Sequence, residues 1–259
     1  MMSIYLTLFL ICNVFMFGES TFADNLLKCK IKDKKCQMEF MQKIIVDISE
    51  TGALEIGIPP TDPITLTNIS VNVLNSIDIT LKEGHAKGIK NCIIDRFEHS
   101  LENERAYLDM TCNITVKGKY KVFVSNNIFK DIFNGESLRG EGNGKVKIEK
   151  LKVKFDWSYS IQKRNGEIYI KCKADKTSYK YEIMGNMLFA ADNLYIGDVE
   201  SSKVVTGLLN ENWKVLVVPF LQPFMDKAME YSLDYLHKFF DNVPLKHYIT
   251  DDLSAYARH

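Results

Sequence analysis

The sequence has no excess of charge of either sign, 33 Lys and Arg standing against 33 Asp and Glu. No basic cluster is interleaved with aromatics, so nothing points to nucleic acid. It has no Cys-x-x-Cys pair, and His85, His99, His237, His247 and His259 are scattered without ligand spacing, which leaves no basis for a metal site. A nucleophile elbow, a P-loop, a dinucleotide fingerprint, a zinc-protease helix and an EF-hand loop are all missing. No cofactor is therefore expected, and an enzyme reading, such as a lipid hydrolase, has no nucleophile behind it. Beyond the first 17 residues no apolar run is long enough to cross a bilayer, so stable membrane insertion is not expected.

The apolar run Ile4 to Phe17 has the length of a signal peptide. Residues 1–20 are read as that signal, with cleavage after Gly18, Ser20 or Ala23; a retained N-terminal anchor is the alternative, because no Lys or Arg precedes the run. The mature chain should then be extracellular, with residues 24–245 as one domain and 246–259 as a C-terminal tail. Loss of Cys12 leaves Cys29, Cys36, Cys92, Cys112 and Cys172, an odd number. In an oxidising compartment Cys29 and Cys36 can close a small loop at the start of a helix. Cys92 and Cys112 can face each other across a hairpin centred near Glu102, whereas Cys112 and Cys172 share an inward phase; the first pairing is preferred. The sequons Asn68-Ile69-Ser70 and Asn113-Ile114-Thr115 put both asparagines on the polar faces of strands, open to glycosylation.

Residues 37–50 place Met38, Met41, Ile44, Ile45 and Ile48 at helical spacing. The stretch Gly57 to Ile64 is too rich in proline for helix or central strand and reads as an extended connector. From Ile69 to Leu81 the odd positions are apolar. Glu104 to Val124 alternates in the same way and predicts one long strand bending at Gly118. A glycine-rich link, Gly135 to Gly144, leads to a run from Lys150 to Ile161, with a bulge near Glu149 where the phase changes. Asn165-Gly166 predicts a tight hairpin turn, and Tyr179, Tyr181 and Ile183 predict one more strand. From Thr206 to Val243 apolar residues recur three and four apart, giving a long amphipathic helix capped by Asn210 or Asn212, kinked or split at Pro219 and Pro223, and stopped at Val243-Pro244.

Strands this long, each with one apolar face, need a single object to cover that face. The reading is α+β: a long, highly curved antiparallel β-sheet wrapped around the C-terminal helix, with a short N-terminal helix closing one end. A bent sheet around a helix with two prolines is hard to fill, which leaves room for a cavity. Met41, Ile45, Tyr120, Phe155, Trp157, Phe220 and Phe224 are its wall candidates.

Cys29 and Cys36 before an amphipathic helix, Gly57-Ile58-Pro59-Pro60-Thr61-Asp62-Pro63, the Gly118-Lys119-Tyr120 bend, the Leu209-Asn210-Glu211-Asn212-Trp213 entry to the last helix and the Val243-Pro244 exit occur in this order. The ordered set resembles the takeout and juvenile hormone binding protein family of insects over nearly all of the mature chain. The resemblance implies a sheet rolled around a helix, akin to tubular lipid-binding modules, with an internal tunnel for terpenoid or fatty ligands. It implies no catalytic residues, and maps the family's N-terminal disulfide onto Cys29 and Cys36. Pro219 and the tail from Lys246 depart from the family pattern. The expected function is a secreted, non-enzymatic carrier of a hydrophobic small molecule, possible partners being a receptor or a second carrier protein. A secreted signalling protein with a filled core, acting through its surface, is the alternative.

Overall fold

The computed structural model describes residues 21–73, 76–124, 135–218 and 221–258. The proposed signal peptide, Pro219 and the wall candidate Phe220 lie outside these residues. Helix α1 spans Lys34–Glu50, starting earlier than the hydrophobic spacing suggested because the Asp33 carboxylate accepts the Cys36 N–H at 3.1 Å and caps it. Among the described residues ten strands then form one sheet: β1 Ile64–Val73, β2 Ile77–Lys87, β3 Ile93–Ser100, β4 Arg105–Val124, β5 Leu138–Arg164, β6 Glu167–Ile183, β7 Met187–Ala191, β8 Leu194–Ile196, β9 Val199–Glu200 and β10 Ala257–Arg258. Helices α2 (Ser202–Leu216) and α3 (Gln222–Asn242) precede β10.

β4 and β5 are the spine of the sheet and pair along most of their length. Where Leu151 faces Cys112 and Ile148 faces Ile114, Glu149 and Lys150 together oppose Asn113, which is the bulge expected near Glu149. Lys150 takes φ 51° there, and its N–H donates to Asn113 Oδ1 at 2.8 Å. The bulge divides the sheet. On the Arg164 side β5 pairs with β6, and on the Leu138 side with β7 and β8. β3 lies beside the first part of β4, and β2 beside the second.

Several local expectations are corrected. The apolar alternation from Ile69 to Leu81 belongs to two strands, β1 and β2, paired Val73↔Ile77, Val71↔Ile79 and Ile69↔Leu81. This register keeps every odd residue on one face, which is why the two strands read as one. The glycine-rich link is a strand from Leu138 onward, since Gly140, Gly142 and Gly144 pair with Val122, Tyr120 and Gly118. Gly84 pairs with Gly118 in turn; a Cβ on Gly118 would sit 2.1 Å from the Glu83 carbonyl oxygen, so this close approach requires glycine. Residues 167–183 are one strand, following the Asn165-Gly166 turn, in which both residues have positive φ.

The C-terminal helix is two helices. α2 begins at Ser202, well before Asn210, and distorts at Asn212. Asn210 caps nothing: its amide brackets the backbone of Phe189, accepting from N–H at 2.6 Å and donating to C=O at 3.0 Å, and so clamps α2 to β7. Pro223 falls in the first turn of α3, where its missing N–H is harmless. α3 runs against β6, with Lys171 Nζ 2.6 Å from Asp241 and Arg164 donating to the Asp241 carbonyl at 2.6 Å, and also meets β1. Residues 246–258 fold back onto the body. Cys29 N–H donates to the Tyr248 carbonyl at 2.9 Å, Thr250 N–H donates to the Cys29 carbonyl at 3.0 Å, and β10 adds to β5.

Candidate functional site

Beyond the bulge the inward residues of β5 are Leu151, Val153, Phe155, Trp157, Tyr159 and Ile161, and all are buried. Around them Phe40, Phe97, Phe239, Phe240 and Tyr248 form a continuous aromatic cluster. Phe40 stacks on Tyr248 at 5.4 Å, Phe97 on Trp157 at 6.3 Å, and Phe239 meets Phe240 edge-on at 5.1 Å. α1 closes this end over β3. The hydroxyls of Tyr159 and Tyr248 and the indole Nε1 of Trp157 are buried with no partner among the described residues. Burial raises the pKa of both phenols, keeping them neutral. His99, edge-on to Phe97 at 4.8 Å, is lowered to about 4 by loss of solvent. Its residue surface is partly open, but the ring Nδ1 is buried, and the ring's surroundings set its charge.

The other half of the sheet is built differently. Its inward positions are Ile64, Leu66, Ile69 and Val71 on β1, Ile77, Ile79, Leu81, Gly84 and Ala86 on β2, Val116, Gly118, Tyr120 and Val122 on β4, and Gly140, Gly142 and Gly144 on β5, as the cross-strand register fixes. These aliphatic side chains remain half-buried, whereas Val73 and Val124 at the far end of the same face are buried and Val146, opposite Val116, packs against the core of the other half. The glycines are covered: a Cβ on Gly140, Gly142 or Gly144 would meet Leu194 at 2.7 Å, Asp192 at 2.0 Å or Tyr120 at 3.2 Å. Among the inward positions named, Tyr120 carries the polar side chain. Tyr120 lies across Gly144 and donates its hydroxyl to the Asp192 carbonyl at 2.7 Å; burial foremost, then Asp192 and Glu200, push its pKa up to about 12. Such an inner face suits contact with an apolar molecule.

The candidates read from sequence fall in both halves. Met41, Phe155 and Trp157 lie in the packed core, with Ile45 and Phe224 partly buried against it. Tyr120 lies in the open half. Near Phe224 a hydrogen-bonded knot holds the start of α3 to β6: the Tyr179 hydroxyl donates to Asp226, and Gln222 Nε2 donates to both, at 2.6 Å and 2.8 Å. The aliphatics and glycines of the open half were not singled out by sequence reasoning. Two surface clefts of about 490 and 320 Å³ lie between the chain ends, beside Ile31, Leu101, Leu253 and Tyr256 and beside Gln37, Phe97 and His99. None of the described wall candidates lines either cleft. Among the described residues two disulfides are formed, Cys29–Cys36 with Cα atoms 5.6 Å apart and Cys92–Cys112 with Cα atoms 4.3 Å apart, while Cys172 is a buried thiol. Asn68 and Asn113 are both exposed. Among the described residues no helix is long and apolar enough to cross a membrane, and no group of His, Cys, Asp and Glu could hold a metal.

A sheet rolled against a split C-terminal helix, with an apolar inner face, defines a class of helix-filled β-rolls. Within that class the chain belongs to the haemolymph juvenile hormone binding protein family, whose sequence profile matches residues 6–250. The crystal structure of Epiphyas postvittana Takeout 1 is similar, with a TM-score of 0.77 and 25% identity over 87% of this chain and 100% of that one. A lipopolysaccharide binding protein structure overlaps 80% of this chain and 39% of its own at 15% identity and a TM-score of 0.41, a likeness too slight to bear on function. Among curated proteins no sequence matches.

Proposed function

We propose that this chain is a secreted, non-enzymatic carrier that encloses a terpenoid or fatty-acid-like molecule, juvenile hormone or a related ligand being within that class. The observation that carries the reading is the inner face of the open half, where a row of aliphatic side chains stays half-buried beside Tyr120. Family membership supports the binding of a hydrophobic ligand, and the two disulfides and exposed sequons suit an oxidising, extracellular setting. Leu66, Ile79, Val116, Val122 and Tyr120 form the proposed wall. Met41, Ile45, Phe155, Trp157 and Phe224 bound the packed end, where a long ligand would stop.

Burying a ligand of about a dozen methylene-sized groups contributes roughly 10 kcal/mol at about 0.8 kcal/mol each. The cost of association reduces that to micromolar or nanomolar affinity. Lipid extraction and mass spectrometry of protein purified from its own source tests the reading: a stoichiometric apolar molecule is expected. A ligand-free protein that also fails to take up a fluorescent fatty probe would instead favour the signalling alternative. Phe224→Ala separates wall from core, since lost probe binding in a stable protein marks a contact and lost stability with unchanged binding marks packing.

A further inference from the structure

The outer face of the open half carries a charge pattern that the carrier reading does not use. Register places His85, Lys117 and Lys145 directly side by side on β2, β4 and β5, with Lys87, Thr115 and Lys147 in the next row. Lys119 pairs with Glu83 at 3.3 Å and Lys147 with Glu149 at 2.6 Å, while Lys82 pairs with Glu141. Lys87, Lys117 and Lys145 are exposed and have no ion-pair partner among the described residues. Like charges directly opposite on neighbouring strands repel and destabilise a sheet, and here they are concentrated on one face of a chain with no net charge. On the same face Leu188 sits opposite Lys147 and is 41% exposed, and Phe123, two residues beyond Lys121, is 47% exposed. Exposed lysines bordered by an exposed phenylalanine at one end and an exposed leucine at the side suit an interface with charged head groups above and acyl chains below. A sulfated polymer would answer the lysines but leave Phe123 and Leu188 uncovered.

We propose that this outer face docks the protein peripherally on an anionic phospholipid surface, with Lys87, Lys117 and Lys145 reading the head groups and Phe123 and Leu188 entering the interface. Docking on this side brings the bilayer against the half of the roll proposed above to hold the cargo. The proposal goes beyond the carrier reading, and vesicle binding and probe binding are measured separately so that either can fail alone.

The test is co-sedimentation of the full chain with phosphatidylcholine vesicles made with and without phosphatidylserine. Binding is expected only with phosphatidylserine, and should weaken as salt rises. At about fivefold per lysine near an anionic surface, the combined change Lys87→Gln, Lys117→Gln and Lys145→Gln should weaken it on the order of a hundredfold. The control Lys154→Gln with Lys180→Gln, a second pair of facing lysines on the packed half, should change it little. Phe123→Ser with Leu188→Ser should weaken it several-fold at unchanged charge.

Equal loss from both lysine sets would overturn the proposal, as would wild-type binding indifferent to phosphatidylserine or to salt. Retention on a sulfated polysaccharide without vesicle binding would also overturn it and assign the face to that polymer. A glycan on Asn113 would stand beside Lys87 and the bulge, so the measurement is made before and after glycosidase treatment. Binding by the treated protein alone upholds the proposal and makes the glycan a shield; binding by neither overturns it.

Discussion

The two halves of the roll share the spine strands β4 and β5 and the same inward alternation, yet the inward side chains of one are large and buried and most of those of the other are smaller and half-buried. From Leu151 to Ile161 every inward side chain of β5 is large and buried, whereas from Leu138 to Ile148 the inward set includes Gly140, Gly142 and Gly144. Alternation decides which way a residue points; side-chain volume decides whether the space is occupied. The bulge at Glu149 and Lys150 separates the two regimes without breaking the sheet. The aromatic end holds the fold, and the more loosely buried end is the one a ligand could enter at smaller cost to the core.

Matched substitutions can break or sharpen this contrast. The largest stability loss is expected from Trp157→Ala, which removes a side chain 1% exposed and should cost about 3–5 kcal/mol in urea unfolding. Next comes a pair with identical chemistry: Leu151→Ala in the packed half should cost about 2–5 kcal/mol, and Leu66→Ala in the open half about 1 kcal/mol in the ligand-free protein. Equal losses would remove the distinction.

The packed half should also answer to acid. His99 is held near a pKa of about 4 in the folded state against 6.5 unfolded, so the unfolded chain takes up the proton first. The sign follows: His99 leaves stability intact above about pH 6.5, and drains on the order of 3 kcal/mol as pH falls towards 4. His99→Phe should flatten that slope in chemical unfolding measured across the interval. The smallest effect belongs to the outer face of the open half, where Lys117→Glu turns the facing Lys117–Lys145 pair into an attraction and should raise the unfolding temperature slightly.

Much of the architecture was legible in the sequence because the sheet is amphipathic over long distances. Alternation from Glu104 to Val124 and from Lys150 to Ile161, the Asn165-Gly166 turn and the phase change near Glu149 each carry a local signal, and the prolines mark the break between α2 and α3. The interior's division was harder to read. Gly140, Gly142 and Gly144 have no hydropathy to alternate, so a strand looked like a linker. Asn210 resembled a helix cap because its tertiary role, clamping Phe189, has no local signature. Candidates chosen for size, such as Phe155 and Trp157, lie in the packed core.

The central claim is that the open half holds the ligand. Val116→Trp introduces an indole among Ala86, Val146 and the inward aliphatics, far from the aromatic cluster. Titration with a fluorescent fatty probe, with folding checked by circular dichroism, should show binding weakened at least about tenfold in a folded protein, since an indole fills volume the ligand needs. A folded Val116→Trp protein that binds the probe like the wild type would contradict the claim.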